Sequence, residues 1–254
     1  MKGSLISCLL LCLASQTFGQ SNIQGLPAGA VVVETRKLIS AKHPDRELVL
    51  WMLNPKKNPD GYSPGDSYSC PDYTRGSYYS GPARASLINA ASRSIINTVK
   101  IAGANEGGAD NIELPYAIRR GYYYRVEILT KKGVEAKPTI MWLRDYNGDG
   151  RPFEFALFEA EACMGLETTL IGYSERQDRV IQYPVRLGVI EGSKHSNRVS
   201  MWADYLFSKK PLGPGSWKYE IDYRGRAGSL DKWEVRYNPA KERFEGTLTV
   251  VPGE

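Results

Sequence analysis

Asp145-Tyr146-Asn147-Gly148-Asp149-Gly150 sets three oxygen-bearing side chains at alternate positions of a short segment that closes on glycine. In a tight loop, alternate positions turn inward, so Asp145, Asn147 and Asp149 offer two carboxylates and an amide oxygen to one point. Hard cations such as calcium need several oxygens at once, and glycine at the sixth position permits a reversal that a side chain would obstruct. The carbonyl of Arg151 is the next oxygen in such a loop, and the carboxylate of Glu154 follows close behind. Asn-Gly-Asp-Gly is also a good plain hairpin turn, because Asn, Asp and Gly tolerate positive φ. Three oxygen side chains in correct alternation exceed what a turn requires. Asp145, Asn147, Asp149, Arg151 and Glu154 are therefore the candidate calcium ligands.

The hexapeptide resembles the calcium loops of EF-hands, dockerins and the FG-GAP/VCBS repeats of integrin-type propellers. About ten residues carry the likeness, so it speaks for a loop and not for a whole-chain family. As an EF-hand the segment departs at its twelfth position, where Ala156 stands in place of the bidentate Glu. Pro152, at the eighth, lacks a backbone N–H, and the flanks read as strands. The FG-GAP/VCBS form, strand–loop–strand, fits better. It expects an acid at the ninth position, where this chain has Phe153, with Glu154 one place later as a substitute. On this resemblance a calcium ion pins the loop between two strands and stabilises the fold. A faint echo, Asp222-Tyr223-Arg224-Gly225, puts Arg224 and Arg226 where the first copy has Asn147 and Asp149, which excludes a cation there. One echo of four residues is not a repeat.

Other chemistry is thinner. Glu159 and Glu161 share a face if they lie on a strand. With Glu154 and Glu167 they could supply the paired carboxylates of a glycoside hydrolase, with Trp142, Trp202 and Trp217 as sugar platforms. The plainer reading is an acid-lined, solvated face. Neither a G-x-S-x-G elbow nor a P-loop occurs. His43, before Pro44, and His195, within Gly192–Asn197, read as loop histidines, and two histidines leave no multi-histidine zinc site. Cys163 as a nucleophile would need a base that the sequence does not place. No Lys/Arg cluster resembles a nucleic-acid footprint.

The elements that position these residues begin after an export leader. Lys2, an apolar run over Leu5–Ala14 and small residues ending at Gly19 form the secretory pattern, with cleavage expected after residue 19. The apolar run is too short to span a bilayer. The rivals are a retained anchor and a lipid attachment at Cys8, before which too few apolar residues stand. The chain is then expected outside the cytoplasm, secreted or periplasmic. With the leader removed, Cys70 and Cys163 are the two remaining thiols, a disulfide candidate in an oxidising compartment. The net charge of +5 is unevenly spread: residues 101–182 carry ten basic and thirteen acidic side chains, while residues 183–254 carry twelve and nine. A locally acidic middle suits a cation better than a polyanion. Sixteen Tyr against six Phe suit wet strand surfaces, and also a carbohydrate or protein partner through Tyr-rich surfaces.

Short β-branched runs dominate the remainder. Val31–Thr35, Glu47–Met52, Tyr122–Leu129, Thr139–Leu143, Phe153–Phe158, Trp217–Tyr223, Lys232–Tyr237 and Phe244–Val250 read as strands. Ala83–Asn89 with Ser94–Ile101, and Thr168–Tyr173 with Val180–Val185, read as hairpins. Residues 54–82 and 103–111 are Gly-, Pro- and Tyr-rich loops. Glu154–Met164 suits a short helix as well as a strand. The expected fold is mainly β, an antiparallel sandwich, barrel or propeller-like hairpin array with little helix beyond the leader. It forms one domain over residues 20–254, with a subdivision possible near 186–200. The expected function is an exported, calcium-stabilised β protein in a non-enzymatic binding or envelope-associated role. The alternative is a secreted hydrolase acting on polysaccharide with carboxylates from Glu154–Glu167.

Overall fold

The computed structural model describes residues 22–58, 74–75, 78–103, 112–114, 117–118, 125–126, 138–161, 165–226 and 228–253. Strands account for nearly all regular structure in it. The helical segments among the described residues are two single 3-10 turns, Leu206–Ser208 and Arg224–Arg226.

Three sheets carry the fold. The first is antiparallel, with β1 (Ala30–Lys37), β2 (Arg46–Leu53), β6 (Ala83–Asn89) and β7 (Ile95–Lys100) in the order β1-β2-β6-β7. The second joins β12 (Glu154–Glu161), β13 (Gly165–Ser174) and β14 (Arg179–Gln182), with the short β17 (Ala203–Asp204) also on β13. The third comprises β15 (Val185–Glu191), β16 (Lys194–Ser200), β18 (Ser216–Asp222), β19 (Ser229–Asn238) and β20 (Arg243–Pro252), in the order β16-β15-β20-β19-β18. It is mixed, because β15 runs parallel to β20. Shorter ladders pair β3 (Lys56–Asn58) and β8 (Ile112–Leu114) with β5 (Tyr78–Gly81), β4 (Thr74–Arg75) with β9 (Ala117–Ile118), and β10 (Arg125–Val126) with β11 (Pro138–Thr139). The fold is mainly β and antiparallel in most of its pairings, and no sheet among the described residues closes into a barrel.

β2 is buried on both faces, and its side chains alternate between two clusters. On β2, Leu48, Leu50 and Met52 enter the main core, while Val49 and Trp51 pack with Ile23 and Ile88 in a second cluster on the other face. The main cluster runs without interruption from Leu38 through Phe155, Ile171 and Tyr183 to Trp233 and Leu248. Residues 186–200 form the β15–β16 hairpin and make no break in it. Glu154–Glu161 is a strand, paired residue for residue with β13, so cross-strand burial prevailed over the helix option there. Beyond Thr139 the expected strand does not continue: Ile140–Leu143 is irregular and only Arg144 bridges Glu154. His195 lies on β16 and not in a loop. That strand is polar except for Val199 and shows no alternation to read. Most of Tyr122–Leu129, most of loop 54–82, and both Cys70 and Cys163 lie outside the described residues.

Polar ties fasten sheet to sheet. The side-chain amide of Asn97 on β7 donates to the Val180 carbonyl at 2.9 Å, and its oxygen accepts the Val180 N–H at 2.9 Å, extending the ladder from the first sheet to the second. Arg46 grips Asp178 through two bonds, Nε to Oδ1 at 2.9 Å and Nη2 to Oδ2 at 2.6 Å, and the Tyr173 hydroxyl donates to the same carboxylate. This fork holds the Asp178 carboxyl down at about 2, below its ordinary 3.8. A depressed carboxyl favours the folded state above its unfolded pKa, and that contribution disappears as pH falls through the folded value. The thermal midpoint is therefore expected to drop between about pH 4 and pH 2. In Asp178→Asn that part of the acid slope is expected to vanish, which melts at matched ionic strength check.

Candidate functional site

The loop Asp145–Gly150 leaves the Arg144 bridge and re-enters β12 at Glu154. Asp145, at the surface, organises it: Oδ1 accepts the N–H groups of Gly148 at 2.7 Å and Asp149 at 3.0 Å, and Oδ2 accepts that of Gly150 at 2.9 Å. Asn147 is buried, and its oxygen accepts the Asp149 N–H at 2.9 Å. Asp149 accepts the Arg151 N–H at 2.9 Å on Oδ1 and the Arg151 guanidinium at 2.8 Å on Oδ2. Tyr146 turns inward, its ring edge-on to Phe207 at 6.0 Å.

Glu154 closes the loop from below. Its side chain is fully buried, its Cγ occupying space that a Cβ on Gly172 would take. Its carboxylate accepts the Tyr146 N–H at 3.0 Å and the Asn147 amide N–H at 3.0 Å. Burial pushes this carboxyl up to about 9, with the charges of Asp149 and Asp145 adding to the shift and the backbone N–H groups of Tyr146 and Asn147 opposing it. Asn147 thereby bridges Glu154 and Asp149, and it also reaches the buried Tyr183 hydroxyl.

All five candidate ligands thus belong to one loop and its exit. Their donor chemistry, two surface carboxylates, one buried carboxylate, an amide oxygen and a carbonyl, is that of a hard-cation site. Their oxygens are already engaged by N–H groups and by Arg151. Among the described residues no group of three or more His, Cys, Asp or Glu side chains converges as a metal cage. A cation here would need the Arg151 guanidinium to release Asp149. In the echo loop, Asp222 takes the Arg224 N–H and the Arg224 guanidinium, so that copy is neutralised from within.

Long-range partners tie the loop to the β13–β14 turn and to the turn before β18, and none was visible in the sequence. Arg151 also pairs with Glu175, which accepts the Ser40 hydroxyl at 2.6 Å beyond the end of β1. On the other side the loop backbone abuts the Gly213-Pro214-Gly215 turn that leads into β18. Gly148 (φ +78°) and Gly215 (φ +60°) meet there so closely that a Cβ on Gly148 would lie 2.6 Å from the Pro214 backbone. A groove of about 570 Å³ opens beside this contact, with Asn147, Asp149, Pro214, Arg236 and Tyr237 in its walls.

The carboxylates of the alternative reading are arranged differently. Glu159 pairs directly with Glu167 across β12 and β13, and Glu167 pairs with Asp204 on β17, making one row of acids on one sheet face. Glu154 has the opposite parity on β12 and is not part of that row. Trp202 and Trp217 are core residues, 4% and 1% exposed, and cannot serve as stacking platforms. The described tyrosines are buried or half-buried, several with their hydroxyls bonded, as with Tyr219 to the Asp204 carbonyl at 2.6 Å. Comparison with known protein families and with curated proteins finds no match.

The two loop glycines separate conformational cost from packing cost. Gly150 (φ +85°) has open space where a Cβ would stand, so Gly150→Ala should cost about 1–2 kcal/mol from the left-handed backbone alone. Gly148→Ala adds the collision with Pro214 and should cost clearly more. Urea unfolding of the two variants measures the difference; equal losses would mean that the loop does not bear on the third sheet.

Proposed function

We propose that this chain is an exported β protein, stabilised by calcium at the 145–154 loop and serving a non-enzymatic binding role outside the cytoplasm. The observation that carries the reading is the buried Glu154 carboxylate beneath two further carboxylates, in a loop that leads into β12, abuts the turn before β18 and pairs through Arg151 with Glu175. A charge buried there beside like charges is unfavourable, which is why the carboxyl holds its proton, and a divalent cation would favour its ionised form. Asp145, Asn147 and Asp149 would hold the ion through their side chains and Arg151 through its carbonyl, with Glu154 neutralised from beneath or joining the set. The leader pattern supports export, and no helix among the described residues is long and apolar enough to cross a membrane.

A polysaccharide-directed hydrolase is the second reading. One observation favours it: Glu159 and Glu167 are opposed across a ladder, a register that sets Cβ atoms about 5 Å apart. Side-by-side acids on one sheet face do not by themselves flank a bond, and the buried Trp202 and Trp217 remove two of the expected sugar contacts.

Calorimetric titration of chelator-stripped protein with calcium, with melts alongside, tests the first reading. At calcium about a hundredfold above Kd the added stability should be about 2.7 kcal/mol, seen as a rise of several degrees in Tm. Asp149→Ala should abolish the calcium-dependent part of the rise, whatever it does to the metal-free melt. An unchanged Tm in the parent protein, or unchanged binding in the variant, reduces the loop to a turn.

A further inference from the structure

Strand β16 lies at one edge of the third sheet, with β15 its only strand neighbour among the described residues. Its first six residues, Lys194–Val199, are exposed on both faces, and no described strand pairs with the outer row of its backbone N–H and C=O groups. Such a row is a template for an added strand. The register with β15 divides the side chains: Lys194, Ser196 and Arg198 share the face of Leu187 and Val189, while His195, Asn197 and Val199 share the face of Arg186 and Ile190. The strand carries cations and no acid. Among the described residues Lys194 has no ion pair, not even with Glu191 directly across the ladder, and Arg198 rests over the Trp233 ring at 5.9 Å. Val199, 64% exposed, is an apolar contact at the far end.

We propose that β16 accepts an extended acidic segment of another protein as an added strand, a surface for the binding role proposed above that itself needs no cation. Backbone pairing would supply the affinity and the side chains the choice. Lys194 and Arg198 are four residues apart on one face, so the matching segment has acids four apart, with an apolar residue on the other face beside Val199. Cations on a free edge keep further copies of the same chain away, since self-pairing would gather Lys194, His195 and Arg198 of both copies into one seam. The same charges attract an acidic strand.

The probe is a fluorescent peptide, Val-Glu-Thr-Thr-Thr-Glu-Val, which reads alike in either direction, titrated by anisotropy with chelator present. Binding is expected, weakened about tenfold or more in Lys194→Glu/Arg198→Glu. That variant should in turn prefer the Lys-for-Glu peptide, a reversal that also shows it folded. Methylating backbone nitrogens of alternate peptide residues, in one of the two phases, should abolish binding. Equal binding of both methylated peptides, or no binding at about 1 mM, overturns the proposal. So does a dimer that Asn197→Pro dissociates, because the edge then belongs to a second copy. The calcium titration is independent of all these outcomes, so failure of one reading is distinguishable from failure of the other.

Discussion

Glu154 is the first residue of β12, and its backbone is committed twice, to the Arg144 bridge on one side and to Gly172 of β13 on the other. With the main chain so held, the side chain has nowhere to go but inward, where it binds Tyr146 N–H and the Asn147 amide beneath Asp145 and Asp149. A carboxylate in that position resists ionisation, which is why its pKa rises to about 9. The loop above it takes its shape from the same bonds. Removing either hydrogen-bond donor would leave a buried carboxyl oxygen unsatisfied, which costs more than the bond itself contributes.

From this point the structure spreads through a few specific contacts. Arg151 leads to Glu175 and Ser40 and so to the first sheet, while Gly148 against Gly215 leads to the third. Asn97 on Val180 and Arg46 on Asp178 repeat the connection elsewhere. Sheets that share one hydrophobic cluster can still slide, because apolar contact is non-directional. Directional bonds at their margins fix how they meet. An ion seated in the loop would act on the same junction, and that is the physical content of the stabilising role proposed for calcium.

The β16 edge belongs to a different part of the molecule and follows a different logic. The core side of the third sheet is made by Trp217, Trp233, Val235 and Leu248, and the hairpin β15–β16 reaches past what they cover. What remains exposed there is backbone, and its side chains have been chosen for charge.

Much of this was legible in the residues. Short apolar, β-branched runs gave away β2, β6, β12 and β13, which are buried on both faces, and alternation gave away the last three strands, each of which turns one face to the core. The loop Asp145–Gly150 was legible too, since its internal hydrogen bonds join neighbours a few residues apart. Strand β16 escaped notice because a strand exposed on both faces has no alternation to betray it. The irregular course of Ile140–Leu143, the burial of Trp202 and Trp217, and the pairing of Glu159 with Glu167 escaped for another reason. Each depends on a partner distant in sequence. By itself, then, the sequence determined the β class and the presence of an oxygen-rich loop, both products of local period and local bonding. Only the tertiary structure decided that the loop stands on a buried carboxyl, meets the turn before β18 and reaches Ser40 through Glu175. Register and long-range packing, which local chemistry does not encode, bring Glu154, Gly215 and Glu175 to the same place.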